Sequence, residues 1–237
     1  MPNNYFQFKQ FRIEQNHAAM KVGTDGVLLG SWFDVSRAER ILDIGTGTGL
    51  IALMAAQRCK ASIHAIDIDE GAIKDAAFNF SHSPWADRLK AQWTALARYT
   101  LQFPDKYDTI VSNPPFFVDG LPSENKQKAM ARHAATLTYA SLLRGVAALL
   151  QPGGSFSAIL PLNVIPQFKQ EAMRYRLFQS RLVLVKPKPS KPAIRALIEM
   201  KFEAFSEKPE ELTIETENHH EYSPECISLF KDFYLNL

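Results

Sequence analysis

Cysteine is nearly absent: Cys59 and Cys226 are the only two in 237 residues, far apart and without metal-ligand spacing. Two such thiols argue against a disulfide framework and against a zinc site. Long apolar runs are missing as well. No segment is apolar enough for a membrane span, and the opening MPNNYFQFKQF has no apolar core of signal-peptide length. A chain at work in a reducing cytoplasm fits these absences best. An excess of charge of one sign is also lacking, since 27 Lys and Arg face 25 Asp and Glu for a net charge of +2. Bulk electrostatics therefore neither demands nor excludes a nucleic-acid partner, and any basic surface must be local. Repeats and low-complexity tracts are absent, which excludes a solenoid and leaves an ordinary globular chain.

What is present is enough apolar material, 46% of the residues, for a substantial core. From residue 40 onward, strand-like runs alternate with helical ones. Arg40–Ile44 and Ser62–Asp67 read as short strands, and Thr48–Cys59 between them carries Leu50, Ile51 and Met54 on one helical face. Glu70–Phe80 repeats the helical pattern, followed by a weaker strand at Leu89–Ala95 and a buried one at Tyr107–Ser112. Ala140–Leu150 reads as a helix stopped by Pro152-Gly153-Gly154, before a strand at Ser155–Leu160. Such alternation predicts a parallel sheet covered on both faces. Leu182–Lys186 and Ile194–Phe202 flank a proline-rich loop and predict an antiparallel pair. Asp25–Phe33 resembles a capped helix, and Ser223–Tyr234 a closing helix with Ser223 as N-cap and Pro224 in its first position. Phe6, Phe8 and Phe11 alternate as one strand face would, which favours packing over base stacking. The expectation is one domain over 1–237, with an N-terminal extension (1–36), a core (37–205) and a C-terminal strand and helix (206–237).

Asp43-Ile44-Gly45-Thr46-Gly47-Thr48-Gly49 falls between a strand and a helix, where glycines let the backbone turn sharply beside a ligand. A dinucleotide loop would place its third glycine one residue later. The spacing found here resembles the nucleotide loop of class I methyltransferases, which implies S-adenosylmethionine as cofactor and makes Asp43, Gly45, Thr46, Gly47 and Gly49 candidate contacts. Asp67 ends the next strand, where a carboxylate can accept from both ribose hydroxyls of an adenosine, and Ile68 could pack on the adenine. The bland reading of the loop is a structural tight turn; its strand-turn-helix context and Asp67 weigh against that. Asp69 is most simply a helix cap. The resemblance would put a further acid after the third strand to hold the adenine amino group. Gln92-Trp93-Thr94-Ala95-Leu96 contains none.

Ile110-Val111-Ser112-Asn113-Pro114-Pro115-Phe116 matches the strand-to-loop signature of methyltransferases acting on adenine, cytosine or glutamine amino groups. By that resemblance the Asn113 side-chain oxygen and the Pro114 carbonyl accept from the amine, Asn113 also borders the cofactor, Pro115 helps fix the turn, and Phe116 stacks on a flat substrate. The competing reading is a proline turn that merely ends a strand.

Taken together, the chain resembles the bacterial tRNA1(Val) (adenine(37)-N6)-methyltransferase family. Lys21-Val22-Gly23-Thr24-Asp25-Gly26-Val27-Leu28-Leu29-Gly30, Ala131-Arg132-His133, and Tyr222-Ser223 with Phe233-Tyr234 carry this resemblance beyond the general pattern. It implies a Rossmann-like class I methyltransferase fold: a seven-stranded, mostly parallel sheet, helices on both faces and an antiparallel C-terminal hairpin. It also implies N6-methylation of an adenosine in the anticodon loop of tRNA. For the single residues Lys21, Thr24, Asp25, Arg132 and His133, capping, surface pairing and structural roles are the simpler readings. Lys186, Lys188, Lys191 and Arg195 flank or occupy the loop stiffened by Pro187, Pro189 and Pro192, with no acid between them, and are candidate RNA contacts. The alternative for them is a solvated hairpin tip that protects a sheet edge. Rival functions are methylation of protein glutamine N5, methylation of another RNA or DNA adenine, and a noncatalytic RNA-binding module. A nicotinamide dehydrogenase is disfavoured by the glycine spacing.

Overall fold

The computed structural model describes residues 4–102, 106–115, 137–204, 208–218 and 220–237. The chain opens with a hairpin, β1 (Tyr5–Gln7) and β2 (Arg12–Glu14), followed by α1 (Thr24–Trp32). The alternating core is β3 (Arg40–Ile44), α2 (Leu50–Arg58), β4 (Ser62–Asp67), α3 (Glu70–Ser81), β5 (Leu89–Trp93), α4 (Leu96–Gln102) and β6 (Tyr107–Ser112). After the next described stretch begins come α5 (Tyr139–Leu149), β7 (Leu150–Pro161), α6 (Ile165–Met173), β8 (Phe178–Lys186), β9 (Arg195–Lys201), β10 (Glu210–Thr213) and α7 (Pro224–Phe230).

One sheet carries eight strands in the order β10-β8-β9-β7-β6-β3-β4-β5. Every neighbouring pair is parallel except those of β9, which runs antiparallel to β7 and β8. The expected seven strands become eight because β10 adds to the outer edge of β8, where it buries Leu212. Side chains of α1, α2, α7 and the N-terminal segment share a hydrophobic cluster on one face, and those of α4, α5 and α6 share another on the opposite face. Central strands such as β3 and β6 are therefore buried along nearly their whole length, as strands covered on both faces must be.

Most expected boundaries hold within one or two residues, and the departures have local causes. Phe8 and Phe11 are buried as expected, but they close the turn between β1 and β2, with the Phe8 amide donating to the Phe11 carbonyl at 2.9 Å. The helix before β7 ends at Leu149, ahead of the Pro-Gly-Gly segment, and the strand begins at Leu150. Its pairing with β6 jumps from Tyr107–Leu150 to Thr109–Ser155, so residues 151–154 form a bulge in which Gly153 takes a positive φ of 80°. The closing helix stops at Phe230, not Tyr234; Ser223 caps it as expected, its hydroxyl accepting from the Cys226 amide at 3.1 Å.

Candidate functional site

The strand order reverses between β3 and β6. From β3 the chain steps outward to β4 and β5, then returns to lay β6 on the other side. The helix after β3 and those following β6 thus cover opposite faces, and a crevice opens at the carboxyl ends of these two strands. Both sequence motifs end there, one after Ile44 and the other after Ser112. The buried Ser112 hydroxyl donates to the Ile44 carbonyl at 2.8 Å and ties the two strand ends together.

The loop after β3 turns through three left-handed glycines: Gly45 (φ 73°), Gly47 (φ 56°) and Gly49 (φ 83°). A side chain on any of them would be strained, and at Gly49 a Cβ would also lie 2.5 Å from the Phe80 ring. The Gly45 and Thr46 amides donate to the Ile66 carbonyl at 2.8 and 3.1 Å. Asp67 holds the far side of the turn: one carboxylate oxygen accepts the Gly47 amide at 2.9 Å and the other the Asp69 amide at 2.9 Å. Burial raises the Asp67 carboxyl above its ordinary range, against the pull of these amides.

Around this loop lies a cavity of about 680 Å³. Of the expected site residues, Gly45, Thr46, Gly47, Asp67, Ile68, Asn113 and Pro115 line it. Asp43, Gly49 and Pro114 stand behind the wall. Asp43 is wholly buried and accepts the Thr46 hydroxyl at 2.6 Å, while its Oδ1 has no partner among the described residues. Burial, with a smaller contribution from the Asp67 charge, pushes its carboxyl up to about 7. Asn113 is half-buried, Pro114 buried and Pro115 exposed. Phe116, Arg132 and His133 lie outside the described residues. Asp69 caps α3 as expected, accepting the Gly71 amide at 2.8 Å.

One wall was not anticipated. Ala18–Gly26, the stretch before and at the start of α1, lines the cavity opposite the glycine loop, and its Lys21 is the one cationic side chain among the described lining residues. The motif Lys21–Gly30 marked this segment, but nothing in its spacing tied it to a ligand. At the third strand end, where no acid was found, Thr94 and Leu96 line the cavity, and the Trp93 indole donates to the Ile68 carbonyl at 3.0 Å. The cavity fits S-adenosylmethionine in its chemistry: carboxylates of Asp25, Asp67 and Asp69 line a space for a cationic molecule, and Asp67 retains lone pairs for hydroxyl donors.

The basic hairpin reaches the same edge of the sheet. Lys186 ends β8 and Arg195 begins β9, beside Pro161 at the carboxyl end of β7. Its charges are nonetheless not alone. The chain returns along β10, so Lys186 pairs with Glu211 at 2.6 Å, and Lys188 lies 3.8 Å from Glu215 and donates to the Glu217 carbonyl at 3.3 Å. Arg195 pairs with Asp25 at 3.0 Å, and Lys191 is exposed.

Comparison with known proteins agrees with this geometry. The methyltransferase small domain family matches residues 17–159. The tRNA1(Val) (adenine(37)-N6)-methyltransferase of Phocaeicola vulgatus is 46% identical over the full length of both chains. The proteins of that name from Bacteroides thetaiotaomicron and Vibrio vulnificus are 47% and 43% identical, covering 100% and 98% of this chain and 100% and 96% of their own. Among solved structures, an Agrobacterium tumefaciens protein described as a predicted O-methyltransferase superposes with a TM-score of 0.63 at 19% identity, covering 90% of this chain and 100% of that one. The mitomycin 7-O-methyltransferase gives 0.53 at 14% identity over 75% of this chain and 53% of that one. These two likenesses concern the fold. The full-length relatives carry more, and with the glycine turn, Asp67 and the Asn-Pro-Pro segment around one cavity, the chain belongs to the methyltransferase small domain family and, within it, to the tRNA1(Val) (adenine(37)-N6)-methyltransferases.

Proposed function

We propose that the protein transfers a methyl group from S-adenosylmethionine to N6 of an adenosine in tRNA, the adenosine at position 37 beside the anticodon of a valine tRNA. The observation that carries this reading is the meeting of Asn113 with the glycine loop on one cavity across the β3–β6 reversal. Relatives at 43–47% identity bearing that name support the choice of substrate. S-adenosylmethionine, when bound, supplies a methyl on a positively charged sulfur. An adenine amine is a poor nucleophile because its lone pair is delocalised into the ring. In this reading the Asn113 oxygen and the Pro114 carbonyl accept from its two N–H groups and aim the lone pair at the methyl. The nitrogen would gain the methyl as the carbon–sulfur bond breaks toward sulfur, and the proton shed from the nitrogen would pass to solvent. The products are N6-methyladenosine and S-adenosylhomocysteine. Asp67 would hold the ribose hydroxyls, with Gly45, Thr46, Gly47 and Ile68 around the rest of the nucleoside and Asp43 and Gly49 holding the loop in shape.

Lys186, Lys188 and Lys191 belong to this proposal as the RNA face, because they share the sheet edge with Asn113; Arg195, expected among them, is instead paired with Asp25. An unpaired loop base can be splayed into such a site at modest cost. Residues 1–36 and 206–237 act as parts of the one domain built on 37–205, since the first supplies a cavity wall and the second a strand of the sheet. No helix among the described residues is long and apolar enough to cross a membrane, which suits a cytoplasmic enzyme. Incubation with radiolabelled methyl donor and separate pools of tRNA, DNA and protein tests the reading. Label confined to tRNA is expected; label in protein or DNA alone would transfer the assignment to another amino-group substrate.

A further inference from the structure

The cavity wall from Ala18 to Gly26 has no regular structure before α1, and much of it is exposed, including Lys21, Gly23, Thr24 and a Met20 that is 62% accessible. Such a segment needs ties from elsewhere to hold one shape; midway along it the Val22 amide donates to the Gln15 side-chain oxygen at 2.9 Å, and each end has a tie of its own. At its start, the Asp75 carboxylate on α3, 3% exposed, accepts the His17 and Ala18 amides, each at 2.8 Å, and meets the His17 ring at 2.7 Å. One turn further along α3, Asn79 accepts the Glu14 amide at 2.8 Å and donates to the carbonyls of Glu14 and Thr48, both at 2.9 Å. Thr48 belongs to the glycine loop, so α3 fixes the wall and the opposite loop relative to each other. At the end of the wall, the Arg195 guanidinium reaches from β9 to Asp25 in the first turn of α1, at 3.0 Å, with both side chains more than two-thirds buried. Neither Asp75 nor Arg195 lines the cavity.

We infer that Asp75 and Arg195 are positioning residues for cofactor binding, which hold the Ala18–Gly26 wall closed against the glycine loop from its two ends. This rests on reading the cavity as the S-adenosylmethionine site, and it gives Arg195 a task other than contact with RNA phosphate. With its Nε–H given to Asp25 and a terminal N–H to the Ile194 carbonyl, the guanidinium is held against the cofactor wall with its charge already matched by a carboxylate. Asp75 gathers two backbone amides that would otherwise need water as partner once the strap is in place.

Calorimetric titration of the full chain with S-adenosylmethionine tests it, using Asp75→Asn, Arg195→Ala and Arg195→Lys with their melting temperatures measured alongside. Asp75→Asn and Arg195→Ala should each raise the dissociation constant roughly 3- to 10-fold, the range expected for losing a charge-assisted tie. Arg195→Lys should recover part of the loss, and methyl transfer by Arg195→Ala at saturating cofactor should return close to the parent kcat. Its tRNA binding should keep the parent salt dependence, whereas loss of a phosphate contact would flatten it by about one unit of slope. Folded variants with parent cofactor affinity would overturn the inference, as would an Arg195→Ala chain altered only in its salt slope. If the parent chain itself bound no S-adenosylmethionine, the functional reading would fall and this inference with it.

Discussion

The Asp67 carboxylate accepts the Gly47 amide at 2.9 Å, so the residue at the end of β4 shapes the turn that follows β3. The same carboxylate lines the cavity. One side chain thus sets the glycine loop and faces the ligand that the loop would cradle. Replacing Asp67 by Ala should weaken S-adenosylmethionine binding by about 1.5 to 3 kcal/mol, through loss of a charged acceptor for the ribose hydroxyls and of the amide it steadies. Calorimetry on the folded variant measures this. Unchanged affinity would remove Asp67 from the site.

Asp43 makes a prediction about stability and pH. Its carboxyl is pushed up to about 7 by burial, above the value near 3.8 of an exposed aspartate. Between those two pH values the folded chain holds a proton that the unfolded chain has released, so stability from this group is full below about 4 and is lost as pH rises toward 7. The loss is on the order of 2 to 4 kcal/mol. Asp43→Asn should remove this descent. Denaturant midpoints of the cofactor-free protein between pH 4 and 8 provide the test, and an Asp43→Asn profile parallel to the parent's would contradict it.

How far these residues could be read from sequence depends on whether a partner lies nearby in the chain. Arg40–Ile44, Ser62–Asp67 and Tyr107–Ser112 were legible to the residue because each is short and centres on buried aliphatic residues, Ile41 and Leu42, Ile63 and Ile66, and Ile110 and Val111. The glycine loop was legible because left-handed backbone selects glycine directly. The wall at Ala18–Gly26 was not, since its place depends on Asp75 and Arg195, 57 and 170 residues from the groups they hold. The helix α6 also went unread, although it buries Ile165, Phe168 and Ala172 at helical spacing; nine residues between two strands make a short pattern. The lysines of the hairpin appeared unopposed for a similar reason. No acid lies between Lys186 and Arg195 in the chain, yet β10 brings Glu211 and Glu215 beside them.

Those glutamates lower what the hairpin can contribute to RNA binding. Lys188 must leave Glu215 and the Glu217 carbonyl to reach a phosphate, whereas Lys191 is exposed. Exchanging Lys188 and Lys191 for Ala should weaken tRNA binding and reduce its salt slope by about 1, and by no more than ~2, with cofactor affinity intact. A filter-binding salt titration reads both quantities. Parent affinity and slope would move the RNA contact to another surface.

The most direct measurement is nucleoside analysis by mass spectrometry of an unmodified valine tRNA transcript after reaction with S-adenosylmethionine. The parent protein should produce N6-methyladenosine in that transcript and none in one carrying guanosine at position 37. Asn113→Ala should lose at least about 100-fold in single-turnover methyl transfer, far more than it loses in cofactor affinity, because its main contact is to the reacting amine. Methylation of the guanosine-37 transcript, or near-parent transfer by folded Asn113→Ala, would contradict the account.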